Sequence, residues 1–210
     1  MSFSSALSVR DAGLQRNVAG ADRGVDASVV GVSFEYGVEH RRPMNALDGV
    51  WRRHDPAIAP IPLVFDSPHS GEIYPNDFDH RPPRDLVRQA EDAHVGKLWA
   101  HAAGVGATLV EALFPRSYID PNRSLADVDP DLLADAWDEP LVLTRKTSQG
   151  IGLVWRVVSG GAPLYARKLS AAEVRARIER YYAPYHAELA TVLNARHQAF
   201  GVVWHVNCHS

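Results

Sequence analysis

Ser67-Pro68-His69-Ser70-Gly71-Glu72 puts an imidazole and a carboxylate three positions apart on a glycine-containing turn, directly after the apolar run Pro62-Leu63-Val64-Phe65-Asp66. That spacing lets a ring nitrogen of His69 and an oxygen of Glu72 converge on one cation. A second imidazole, His209, follows the run Ala199–Cys208 far downstream. Two histidines and one carboxylate with an open fourth position form the ligand set of a catalytic zinc, whereas a structural zinc is closed by four protein ligands. The single cysteine, Cys208, excludes a cysteine-rich structural site. Zinc is the expected ion, and the same ligands would accept Mn, Co or Fe. By itself a His-x-x-Glu spacing is common, and a strand-end histidine is more often a hydrogen-bonded residue than a ligand. His205, four positions before His209, is an alternative partner that a regular strand would point to the same face.

Phe114-Pro-Arg-Ser-Tyr-Ile-Asp-Pro-Asn-Arg-Ser124 supplies a second set of polar groups beyond a strand. It contains Arg116, Asp120, Asn122 and Arg123. A guanidinium fork suits a carboxylate because it donates two parallel hydrogen bonds. The competing structural reading is an Arg–Asp pair that staples a loop.

These groups need a scaffold that collects strand ends. With 210 residues and 46% hydrophobic content, the chain fits a single α/β domain spanning 1–210. Residues 1–28 lack helical or strand period and read as a flexible arm. Residues 29–38 alternate like an edge strand, and the proline-rich stretch 40–62 reads as a surface linker. Strands are predicted over 61–66, 106–115, 152–161 and 199–208. A helix is predicted between Pro82 and Gly104, and a capped one from Ser170 to about Gln198 that Pro184 kinks or splits. Residues 124–150 show no clear core face and read as a loop or lid. In open α/β sheets ligands gather beyond the carboxyl ends of the strands, where His69 and His209 both fall.

Charge narrows the partners. Twenty-two Lys and Arg against 25 Asp and Glu leave no basic footprint for nucleic acid, and no apolar stretch is long enough to span a membrane. A small-molecule substrate is expected, in a cytoplasmic protein whose one cysteine needs no oxidation.

The segments "LVFDSPHSGEIYP", "PRSYIDPNRS", "GLVWRVVSGGAPLYARKLS", "YYAPYH" and "NCHS" resemble, in the same order and over roughly residues 60–210, the N-formylglutamate amidohydrolase family. That resemblance implies a phosphorylase/hydrolase-like three-layer α/β/α sandwich with a mixed, mostly parallel sheet. It also implies a site like that of the zinc carboxypeptidases, with metal ligands His69, Glu72 and His209. Asn122 and Arg123 would hold a substrate carboxylate. Arg116 would polarise the scissile carbonyl or hold a second carboxylate. The implied reaction is hydrolysis of N-formyl-L-glutamate to formate and L-glutamate in histidine degradation. The alternatives are another N-acyl amino acid or short peptide as substrate, or a non-catalytic carboxylate-binding relative. Two departures stand out: Asn207 occupies a position where the family pattern carries Asp, and enzymes of this kind continue past the final histidine, so the chain is expected to lack a C-terminal portion that often holds the general base.

Overall fold

Prolines 60, 62 and 68 bracket a run too short for a helix and apolar enough to be buried, and Leu63–Ser67 forms strand β3 at the heart of the sheet. The computed structural model describes residues 45–210, so the expected arm and the strand over 29–38 lie outside the described residues. The sheet is mixed and five-stranded: β1 (Ala46–Leu47), β2 (Trp51–His54), β3, β4 (Thr108–Ala112) and β5 (Trp204–Asn207) lie in the order β1-β2-β4-β3-β5. β3 pairs parallel with both β4 and β5, while β1 with β2 and β2 with β4 are antiparallel. Three consecutive neighbours therefore end on the same side, and the loops carrying His69, Arg116 and His209 leave from that side.

Helices cover both faces, giving the three layers of an α/β/α fold. On one face α5 (Ala183–Phe200) packs on β3 and β4, burying Tyr185, Leu189 and Val192 against Val64, Val110 and Phe114. On the other, α2 (Val95–Trp99) and the 3₁₀ segment Ala100–Val105 close over Phe65 and Leu109. Trp99 stacks on Phe65 there, with ring centroids 4.7 Å apart. Among the described residues no helix is long and apolar enough to cross a membrane.

Several local expectations are revised. The proline-rich stretch contains β1 and β2, because no proline falls between Pro43 and Pro56 and Trp51 is buried against the core. Residues 152–161 do not join the sheet. Their backbone groups are taken by Asp127 and Gly150, and only single bridges at Ile151–Trp155 and Val157–Pro163 remain. Residues 124–150 have a core face after all: Val128, Leu132 and Leu133 are buried, and α3 (Arg145–Ser148) is anchored by a capping box at Thr144 and by Thr147 on the buried Asp127.

The expected helix after Pro82 is broken into α1 (Arg84–Arg88) and α2 by a turn in which His94 takes φ +67°. The long C-terminal helix is continuous along the chain but not in hydrogen-bond pattern. α4 (Ala171–Arg177) passes through a π turn at Ile178–Tyr182 into α5, and this change of hydrogen-bond pattern falls directly before Pro184, which has no N–H to give to the ladder. α5 stops at Gly201, whose φ of +71° suits glycine.

The reciprocal cap at the start of α4, with Ser170 accepting from the Glu173 N–H and Glu173 accepting from the Ser170 N–H, fixes where this helix begins. Replacing Ser170 by Ala is expected to lower unfolding free energy by about 1 kcal/mol, measured by urea titration.

Candidate functional site

His69 follows β3, and its position is set by what surrounds the turn. Ser67 and Ser70 share a hydroxyl hydrogen bond of 2.7 Å across it. Gly71 lies so close to β4's exit that an added Cβ would stand 2.2 Å from the Phe114 carbonyl oxygen, so the chain crosses there only as glycine. The His69 ring is buried, and its Nε2 lies 2.8 Å from Oδ1 of the fully buried Asp120. With Asp120 ionised, Nε2 carries the proton and donates it. A neutral imidazole in that tautomer presents a lone pair at Nδ1.

That lone pair faces Asp92. Nδ1 of His69 is 3.5 Å from Asp92 Oδ2, and Nδ1 of His209 is 2.8 Å from the same oxygen. The two imidazole centroids are 4.7 Å apart. One ligand-capable atom from each of His69, Asp92 and His209 lies within 4.8 Å of the others. Asp92 arrives through the break between α1 and α2, where its backbone N–H donates to the His69 carbonyl at 3.0 Å. His209 lies just past β5 and is held from behind by the Asn122 side-chain amide, 3.0 Å from its Nε2. Asn207 in turn donates to the Asn122 Oδ1 at 2.9 Å.

Cations balance the two aspartates. Arg116 reaches Asp92 through Nη1 and Asp120 through Nη2, each at 3.4 Å, and Arg123 Nε lies 3.7 Å from Asp120 Oδ2. Burial alone would raise both aspartic acids. For Asp92 the hydrogen bond from His209 and the charge of Arg116 outweigh it and hold the carboxyl well below the usual range. For Asp120 the hydrogen bond from His69, with the charges of Arg116 and Arg123, does the same.

Of the residues expected from sequence, His69, Arg116, Asn122, Arg123 and His209 are brought together. Glu72 is not. The turn carries it outward, where its side chain is 44% exposed with Oε2 3.4 Å from Arg88, and the carboxylate between the histidines is that of Asp92. Asn122 is engaged with His209 and Asn207 rather than left free. His205 points to the α5 face and bonds the buried Asp66 at 2.7 Å, alongside the Tyr185 hydroxyl at 2.9 Å. The chain leaves the strand after Asn207, so the even spacing no longer aligns His205 with His209.

The residues fit a divalent cation by two observations. The donor set, two imidazoles and a carboxylate, matches zinc's preference. Nδ1 of His69 is buried without a hydrogen-bond partner and faces a carboxylate oxygen, an arrangement of two electron-rich atoms that a cation between them relieves. Asp120 orients the ring from behind, as an outer carboxylate does for a metal-ligating histidine.

A family model described as N-formylglutamate amidohydrolase matches residues 61–210. An N-formylglutamate deformylase of Pseudomonas putida is 30% identical over 158 residues, which cover 71% of this chain and 52% of the relative. Among solved structures, N-formylglutamate amidohydrolase from Ralstonia eutropha JMP134 is 48% identical with a TM-score of 0.75, over 77% of this chain and 58% of that one. The chain thus spans between half and three fifths of the length of these relatives.

Because the Asp120 carboxyl sits below its unfolded value of about 3.9, it contributes stability that is complete above roughly pH 5 and is lost as pH falls through its folded value. Asp120→Asn is expected to cost about 2–3 kcal/mol at pH 7 and to make the decline in stability below pH 5 shallower. Urea midpoints of the metal-free protein between pH 3 and pH 7 check both.

Proposed function

The chain belongs to the N-formylglutamate amidohydrolase family, and from that premise we propose that it is a metal-dependent amidohydrolase cleaving N-formyl-L-glutamate to formate and L-glutamate, the amide hydrolysis that fits histidine degradation. The observation that carries this reading is the meeting of His69, Asp92 and His209, from three separate elements, with ligand-capable atoms within 4.8 Å of one another. These three residues would hold a zinc ion, which would supply Lewis acidity toward an amide carbonyl and lower the pKa of a bound water toward neutrality.

The chain's own residues do the rest. Asp120 accepts a hydrogen bond from the His69 Nε2–H and so keeps the Nδ1 lone pair turned toward Asp92 and His209. Asn122 fixes the His209 ring from its far side. Arg116 and Arg123 bind anionic groups of the substrate and oppose negative charge that develops on the carbonyl oxygen. Charge supports a dianionic substrate. The two guanidiniums cancel Asp92 and Asp120, so a divalent cation leaves two positive charges, which a dicarboxylate such as N-formylglutamate matches.

In place of the Glu72 suggested by spacing, Asp92 is the proposed carboxylate ligand. Calorimetric zinc titration is expected to show one site per chain in the wild-type protein and in Glu72→Ala. His69→Ala, Asp92→Ala and His209→Ala should each weaken binding by at least the roughly 100-fold that loss of an outer-shell partner can reach. Formate release from N-formyl-L-glutamate, measured with and without added zinc, tests the activity. No formate from a protein that demonstrably holds one zinc would remove the deformylase assignment.

A further inference from the structure

Resting on the deformylase reading, we propose that Trp155 is a substrate-binding residue whose indole N–H, together with the Nε–H of Arg116, forms the subsite for the side-chain carboxylate of the substrate. Among the described residues, seven buried side-chain polar atoms have no hydrogen-bond partner, and five of them belong to His69, Arg116, Arg123, Trp155 and Asn207. The other two, on Trp137 and Arg196, belong to neither the ligand cluster nor its arginines. A buried donor left unpaired costs about 1–3 kcal/mol, so a native fold retains few of them. Three of the five, on Arg116, Arg123 and Trp155, are N–H donors, and their concentration at one site means that it holds donors for an acceptor that arrives from outside.

Trp155 is only 8% exposed and cannot satisfy its N–H with bulk water. It lies on a segment docked against the site, where the Asp120 N–H donates to the Leu153 carbonyl at 2.7 Å and the Ile151–Trp155 bridge closes a tight turn. The Arg116 guanidinium stands over the Trp155 ring, 5.2 Å from its centroid, an arrangement favoured by the negative face of the indole. Nη1 and Nη2 of Arg116 are turned to Asp92 and Asp120, which leaves Nε as the donor without a partner. Trp155 Nε1 is likewise without one. Two N–H donors on side chains in face contact suit the two oxygens of one carboxylate. Arg123, whose Nε also lacks a hydrogen-bond partner, remains for the substrate's second carboxylate.

The test is Trp155→Phe, which keeps an aromatic face under Arg116 and removes only the N–H. KM for N-formyl-L-glutamate is expected to rise about tenfold with kcat within about threefold, as for loss of one hydrogen bond to a charged group. KM for N-formyl-L-glutamine, the same shape with a neutral amide oxygen that accepts a weaker bond, should rise by less than about threefold. Equal changes for both substrates, or none for either, would overturn the proposal, and an unaltered thermal midpoint separates either result from misfolding. Should the zinc-loaded protein turn over neither substrate, the deformylase reading fails by itself, and the subsite is then judged by calorimetry with L-glutamate and L-glutamine. The wild-type protein is expected to prefer glutamate by about tenfold and Trp155→Phe to lose that preference. A wild type with no preference, or a preference unchanged in the variant, would refute the subsite.

Discussion

A carboxylate buried beyond the reach of water must find cations and donors in the protein, and Asp120 organises the site through that need. Its Oδ1 accepts from the His69 ring N–H at 2.8 Å and from the Asn122 backbone N–H at 2.9 Å, and Arg116 and Arg123 supply the neutralising charge at Oδ2. Each of these bonds constrains something else. The imidazole tautomer is fixed, the Pro121–Asn122 turn is tied down so that the Asn122 amide meets His209, and Arg116 is drawn in far enough to serve Asp92 as well. Removing the Asp120 charge would release all three together. The site is therefore built from the inside outward, with its outer groups held by one that is fully buried.

The sheet supplies the distances. Because β3 sits between β4 and β5 in parallel pairing, the residues leaving their ends arrive side by side. His69 and His209 are 140 positions apart in the chain yet have ring centroids 4.7 Å apart. The break at His94 has the corresponding role on the helical layer. Residues on a continuous helix from Arg84 onward would keep their backbone donors within the helix, whereas here the Asp92 N–H is free to bond the His69 carbonyl and turn its carboxylate inward.

Much of this could be read from residue order because it rests on short-range signals. Prolines around the apolar run mark β3, the Ser170 and Glu173 pair marks the start of α4, and the arginines beyond β4 mark a charged loop that pairs with Asp92 and Asp120. Asp92 was illegible for the opposite reason. Its neighbours have helical spacing, and only the tertiary contact with His69 reveals that the helix stops. Glu72 satisfied the spacing of a metal turn, but spacing does not record which way a turn exits, and the Gly71 crossing over the Phe114 carbonyl sends it toward Arg88. The segment 152–161 has the composition of a strand, yet its hydrogen bonds are claimed by Asp127 and Gly150, a competition between distant segments that local pattern does not encode. Trp155 likewise reads as a core aromatic until the unpaired indole N–H and the guanidinium above it are seen together.

The central claim is that His69, Asp92 and His209 grip one ion. Anomalous diffraction at the zinc edge from zinc-soaked crystals tests it most directly. A single strong peak is predicted at about 2.0–2.2 Å from a ring nitrogen of His69, a carboxylate oxygen of Asp92 and a ring nitrogen of His209, with Glu72 still beside Arg88. A peak that takes Glu72 as its carboxylate ligand, or no peak between the two histidines, would contradict the account.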